Sequence, residues 1–201
     1  MRHPLRALAA AAAVLAAGAP ARAQSVQVTP FASWAYGGSV RDTVLDESRS
    51  FEASLAYGGA VSFPIGETWR FELLYSRQPT KVEGGALAPS LDVTIERYLA
   101  GFQEEKGEGS VRWFGSAWAG ATRFVPDVAG YDSATKFGAG VGLGVKTYFS
   151  KNVGLRLEAR GFWTLVQGEG GVACVNGDCL FAFSGSGLWQ GDFSGGLILA
   201  F

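Results

Sequence analysis

Histidine is almost missing from this 201-residue sequence: the one copy is His3, beside the N-terminus. Cysteine occurs twice and methionine once. After residue 24 there is no apolar run long enough for a membrane helix, which needs about 20 residues, and no sustained 3.6-residue periodicity. Each shortage excludes something. Without histidine beyond residue 3, a Ser-His-Asp constellation cannot be assembled. Two cysteines and no second nitrogen ligand are too few for a zinc site. Neither a helical bundle nor a helical membrane protein fits the pattern.

The N-terminus is built differently from the rest. Arg2 and Arg6 precede an apolar stretch from Leu8 to Ala17, and Ala21-Arg22-Ala23 supplies a small-x-small pattern. These are the three parts of an export signal, with cleavage expected between Ala23 and Gln24. A membrane anchor is disfavoured because Pro4, Arg6, Gly18 and Pro20 leave the apolar run too short. Residues 1–23 are therefore read as signal peptide and 24–201 as one domain. Losing Arg2, Arg6 and Arg22 leaves 14 basic against 18 acidic residues, a formal charge of −4. A mildly acidic chain has no electrostatic reason to bind nucleic acid.

What is abundant is glycine, with 29 residues, and aromatic side chains at 13%. Both fall within period-two alternation that recurs eight times. In the first run Val28, Pro30, Ala32, Trp34 and Tyr36 oppose Gln27, Thr29, Phe31 and Ser33. In the second Phe51, Leu55, Tyr57, Val61 and Phe63 oppose Glu52, Ser54, Ala56, Gly58, Ala60 and Ser62. The third sets Trp69, Phe71, Leu73 and Tyr75 against Arg70, Glu72, Leu74 and Ser76. In the fourth, Leu91, Val93, Ile95 and Leu99 form the apolar row, opposite Asp92, Thr94, Glu96 and Tyr98. The fifth, 111–125, is the least regular, since Trp113 and Trp118 fall on opposite faces. The sixth alternates Phe137, Ala139, Val141, Leu143 and Val145 with Lys136, four glycines and Lys146. The seventh opposes Val153, Leu155, Leu157, Ala159 and Trp163 to Arg156, Glu158, Arg160 and Thr164. The eighth carries Trp189, Phe193, Leu197, Leu199 and Phe201 on one face.

Between the runs, the connections alternate long and short: 38–50, 79–90, 126–135 and 167–185 against 64–68, 104–109 and 150–152. Long outer loops and short periplasmic turns are the layout of a transmembrane up-and-down β-barrel, and an even strand number puts both termini in the periplasm. A lipocalin-like soluble barrel would turn the apolar rows inward. Small residues in the opposing rows and aromatic residues near the run ends favour the membrane arrangement, with apolar rows facing lipid.

Ser194, Gly196, Leu199 and Phe201 match the C-terminal assembly signal of outer-membrane barrels. With the Pro30-Phe31 pair and the stretch 137–160, residues 24–201 resemble the small eight-stranded outer-membrane barrels, the OmpA-transmembrane and OmpX-like group. No peptidoglycan-binding domain follows, so the wall-anchoring role of full-length OmpA-type proteins is not expected. The resemblance implies a non-enzymatic outer-membrane protein with exposed loops, since the barrel enzymes of that membrane depend on histidine. The alternative is a narrow channel or carrier for small hydrophobic or ionic solutes, as in OmpW-like barrels.

Eleven charges fall on the rows read as inward: Glu52, Arg70, Glu72, Glu96, Arg112, Lys136, Lys146, Arg156, Glu158, Arg160 and Asp192. In a narrow barrel the preferred reading is a structural ion-pair network rather than a polar pathway. Cys174 and Cys179 bracket Val-Asn-Gly-Asp in the longest connection and are expected to close a small disulfide loop in an oxidising compartment. No cofactor or metal is expected. The expected partners are outer-membrane lipid and lipopolysaccharide, the barrel-assembly machinery during biogenesis, and an unidentified surface ligand. A closed barrel has no edge demanding a second copy, so a monomer is expected.

Overall fold

The computed structural model describes residues 26–42, 47–82, 90–127, 132–166, 170–175, 178–184 and 187–201. For the strands within 39–49 and 170–184 only the backbone pairing is described. The expected signal peptide, with its Ala23/Gln24 cleavage site, lies outside the described residues.

Twelve strands follow one another: β1 Gln27–Tyr36, β2 Ser39–Asp42, β3 Glu47–Ser50, β4 Ser54–Pro64, β5 Trp69–Val82, β6 Leu91–Lys106, β7 Val111–Pro126, β8 Ala134–Tyr148, β9 Val153–Thr164, β10 Gly170–Val175, β11 Asp178–Ser184 and β12 Leu188–Ala200. Eight of them, β1, β4 to β9 and β12, close into an antiparallel barrel in which β1 bonds both β4 and β12. The remaining four form a second sheet in the order β10-β11-β2-β3. Here the sequence reading is corrected, because 38–50 and 167–185 hold strands as well as turns. Ser-Val-Arg-Asp and Glu-Ser-Arg-Ser have no apolar row, so periodicity could not reveal a pairing made by backbone edges alone.

The barrel has two ends. At the terminal end the chain turns tightly between β4 and β5, β6 and β7, and β8 and β9. Gly107 (φ 131°) and Gly109 (φ 75°) take the left-handed backbone that the β6–β7 turn requires. The other end, called here the loop end, carries the second sheet.

The exterior is apolar. Leu143, Trp113 and Trp189 expose 72%, 68% and 67% of their surface, and Leu55, Phe102, Phe137 and Phe193 about half or more. Such a continuous belt suits hydrocarbon, not water. Aromatic rings pair across strands at both ends of the belt: Tyr75 with Tyr98 (5.1 Å) and Trp163 with Trp189 (6.4 Å) at the loop end, Phe71 with Phe102 (5.7 Å) at the other. On β6 the belt is bracketed by outward Glu96 and Glu104. Eight residues of strand rise about 27 Å, which a tilt of about 40° reduces to roughly 21 Å, close to the apolar band of about 25 Å in membrane barrels.

Two rows point the other way from expectation. In β6 the odd-numbered residues face the lumen, so Leu91, Val93, Ile95 and Leu99 are buried inside, while Glu96 and Tyr98 look outward. Phe51 also turns inward and Glu52 outward, because β4 starts only at Ser54 and Phe51 bridges to Val82 instead. Leu99 packs lower in the lumen, with Leu74, Trp118 and Phe162; for Phe51, Leu91, Val93 and Ile95 the reason is shared. At the loop end the lumen is filled by an apolar cluster of Phe51, Val82, Leu91, Val93, Ile95, Phe124, Val166 and Leu188. The strands there have also passed beyond the hydrocarbon belt, so their outer face is free to be polar. β7, by contrast, is regular after all: it pairs without a bulge from Val111 to Phe124 with β8. Trp118 simply belongs to the lumen, at 3% exposure.

Candidate functional site

The lumen is the candidate site, and it is filled in layers. Nearest the terminal end, Lys146 of β8 is fully buried and donates to Gln27 (2.9 Å), Gln103 (2.7 Å) and Glu105. Arg70 (3.7 Å) and Arg112 (3.6 Å) approach the same Glu105 carboxylate. Tyr148 closes this layer by accepting from the Gln27 amide at 2.9 Å.

The next layer centres on Glu72. Arg156 donates both Nη atoms to it and bonds Glu158 as well (3.0 Å). Ser62 (2.7 Å) and Trp118 Nε1 (3.1 Å) complete the Glu72 shell, and Ser116 donates to Glu158 at 2.9 Å. The layer draws Ser62 from β4, Glu72 from β5, Ser116 and Trp118 from β7, and Arg156 and Glu158 from β9, possible because alternate residues of every strand converge on the axis.

Above it, Arg160 forks onto Asp192, with Nε and Nη2 each at 2.7 Å, and Ser33 donates to the same carboxylate. Arg97 donates to Gln190 (2.6 Å) and to Gln78 (3.4 Å). Rings separate the cations: Phe114 lies under Arg156 and Lys146, at 4.6 and 5.3 Å, and Phe162 under Arg97 at 4.6 Å. Cation–π contact of this kind partly offsets the loss of water around a buried cation.

The glycines of β8 make room for these groups. A Cβ on Gly140 would lie 2.7 Å from the Phe162 ring, and one on Gly142 would lie 2.6 Å from a Glu158 oxygen and 2.8 Å from Trp118. The alternating glycine row is thus the space into which the large side chains of β7 and β9 lean.

Of the eleven charges assigned to the lumen from sequence, Arg70, Glu72, Lys146, Arg156, Glu158, Arg160 and Asp192 are brought together there. Arg112 is on the inward row but half-exposed at the terminal rim. Lys136 lies in register with Thr122 and is half-buried. Glu52 and Glu96 are corrections, since both point outward. Glu96 stands between Arg77 and Arg123, each at 3.9 Å.

Sequence reasoning missed Arg97, Gln103 and Glu105, all on the odd row of β6. The signal was present: an arginine in the middle of Leu91, Val93, Ile95 and Leu99 is out of place in hydrocarbon and natural in a lumen. Cys174 and Cys179 stand directly opposite in the β10–β11 register; their side chains lie outside what is described. In the C-terminal segment Ser194 faces in, and Leu199 and Phe201 face out. Gly196 is where β12 meets β1 closely, since a Cβ there would come within 3.0 Å of Thr29, Pro30 and Phe31.

Residues 7–201 match the family described as outer membrane protein beta-barrel domain. Among solved structures, the Neisserial surface protein A is similar, with a TM-score of 0.62 at 19% identity, over 88% of this chain and 97% of that one. The N-terminal barrel domain of Pseudomonas aeruginosa OprF (13% identity, TM-score 0.47, 88% of this chain and 100% of that) is more distant. So is Ail, the attachment invasion locus protein of Yersinia pestis, solved with a heparin analogue (11% identity, TM-score 0.49, 88% and 99%). A search of curated protein sequences finds no match. The closed eight-stranded antiparallel barrel and a family match covering nearly the whole sequence agree: the chain belongs to the outer membrane protein β-barrel domain family.

Proposed function

We propose that this protein is an exported, non-enzymatic outer-membrane barrel whose lumen is plugged by its own side chains and whose loop-end sheet meets the cell's surroundings. The observation that carries the reading is the stacked Lys146–Glu105, Arg156–Glu72–Glu158 and Arg160–Asp192 layers beneath an apolar cap. Ions would have to displace hydrogen-bonded charges and then pass the apolar cluster around Ile95. The lack of histidine between residues 24 and 201 supports a non-catalytic role.

In this reading both termini are periplasmic, the signal is cleaved after Ala23, and Ser194, Gly196, Leu199 and Phe201 guide assembly into a monomer. The loop-end sheet, stiffened by a Cys174–Cys179 disulfide, forms the surface offered to an outside ligand.

Single-channel recording of the refolded protein in planar bilayers is the test. Silent bilayers are expected; steady unitary openings would overturn the plugged-lumen reading in favour of a narrow channel. Orientation is checked separately by protease digestion of intact cells, which should cut within residues 38–50 or 167–185. The disulfide is checked by a mass increase on reduction and alkylation.

A further inference from the structure

One charged row on the outer wall takes no part in the lumen. In cross-strand register, Arg77 of β5 pairs with Glu96 of β6, and Glu96 with Arg123 of β7. All three point outward, on the lipid side of the barrel. The row lies one pleat beyond Tyr75 and Tyr98, the aromatic pair at the loop-end margin of the apolar belt. Side chains at that level meet lipid headgroups.

The geometry is that of a prepared anion site. Both guanidinium groups are about half exposed, whereas the Glu96 side chain between them is only 13% exposed. Each stands 3.9 Å from the carboxylate, beyond hydrogen-bonding distance, so donors remain available. Arg123 is held by Ser133, which accepts from its Nε (3.2 Å) and Nη2 (3.0 Å), leaving Nη1 directed to the site. Tyr98 donates to Glu96 at 3.2 Å and fixes that carboxylate. Two cations around one anion leave a net positive charge, and Lys81, paired with Asp92 at 3.5 Å, lies farther out on β5.

The patch is also one-sided. The described outward rows of β1, β8, β9 and β12 carry no charged residue.

We propose that Arg77 and Arg123 clasp a phosphate group of an outer-leaflet glycolipid, at one fixed place on the barrel wall. Arg77 and Arg123 stand on strands two apart, about 10 Å by ordinary strand spacing. Two long side chains can converge across that gap on one phosphate, and guanidinium forks match its oxygens. The glycolipid's acyl chains would descend over the Tyr75–Tyr98 pair along the apolar belt. Glu96 serves as the internal counter-ion that keeps two arginines side by side while the site is empty. The proposal rests on the loop end facing the outer leaflet, but its test in detergent micelles does not depend on orientation.

The experiment titrates the refolded protein, in zwitterionic detergent, with a diphosphorylated lipid A, its dephosphorylated form, or inorganic phosphate, counting bound lipid by native mass spectrometry. One tightly held lipid A is expected, with the dephosphorylated lipid weaker by about tenfold or more, the loss of one or two charge-assisted bonds. R77Q/R123Q should weaken lipid A by a similar factor while the protein still migrates as a folded barrel on unheated gels. E96Q should bind as well or better, because the competing anion is gone. K151Q, at the opposite end of the barrel, should change nothing. If the double variant does not refold, R123Q alone is expected to lose about threefold or more. Equal binding of dephosphorylated lipid, undiminished binding by the arginine variants, or an equal loss in K151Q would overturn the proposal. Inorganic phosphate binding as tightly as lipid A would overturn the lipid assignment by showing a general anion site.

Discussion

The terminal half of the lumen holds Lys146 with Glu105, and Arg156 with Glu72 and Glu158, in two hydrogen-bonded layers, whereas the loop half is closed by Phe51, Ile95, Phe124 and Leu188, with uncharged Gln78, Thr80, Thr122 and Thr164 buried at that level. Both fill the same narrow cylinder, but they respond differently to damage. A buried charge network needs every partner, because each ion has given up its water. An apolar cluster needs only volume and shape, and can relax around a loss. The mutual dependence lies where the wall outside is lipid, and the tolerant packing where the wall has passed beyond it. Apolar side chains are in demand on the outer face within the hydrocarbon belt, so the polar ones of each alternating strand are sent inside. Above the belt that demand disappears, and β6 inverts its use of the two faces.

The largest effect should come from breaking the terminal half. Glu72→Ala leaves Arg156 and Trp118 facing an empty shell, and we expect a loss of about 3–5 kcal/mol in reversible urea unfolding. A loss below 1 kcal/mol would mean the network is not coupled as drawn. Replacing the whole ionic group, Glu72→Met and Arg156→Met with Glu158→Gln, should recover most of that loss, bringing stability to within about 1 kcal/mol of the parent, because Arg156 also pairs with buried Glu158. That triple change would make the terminal half chemically resemble the loop half, and failure to recover would show that the Ser62, Ser116 and Trp118 donors need a carboxylate partner.

Ile95→Ala probes the other half and should cost about 2–4 kcal/mol by the cavity it leaves. Combined with Glu72→Ala it should add to within about 0.5 kcal/mol, since among the described residues no side-chain hydrogen bond joins the Glu72 group to the apolar cluster around Ile95. Strong coupling between them would contradict the division.

Gly142→Ala tests the glycine row between them. The added methyl meets Glu158 and Trp118, and a cost of about 1–3 kcal/mol is expected. Glu52→Gln, now placed outside the lumen, should change stability by less than about 0.5 kcal/mol.

Much of the barrel was legible from period and punctuation. Six of the eight wall runs were assigned the correct inward and outward rows, apart from Phe51 and Glu52 at the loop-end start of the second, because within the hydrocarbon belt the two faces differ sharply in polarity. The fifth, 111–125, carries no assignment, because Trp113 and Trp118 fall on opposite faces. The fourth run failed because hydrophobicity was taken to mean lipid. Leu91, Val93 and Ile95 are as apolar as a lipid-facing row, and only Arg97 among them marks the row as internal. Seven lumen charges were found by parity alone, yet their pairing was not, since Glu72 and Arg156 are 84 residues apart and meet across the axis. Glu105 was hidden inside a segment that looked like a turn.

Alternation, the glycine row and the spacing of turns determined by themselves that this chain would be an eight-stranded barrel with a polar interior, because a strand's two faces are set by a local period of two. The tertiary structure alone decided which carboxylate neutralises which cation, where the apolar cap sits, and that Glu96 stands outside between two arginines. Those choices depend on barrel closure and on the depth of each residue relative to the belt, and neither is a property of any single strand.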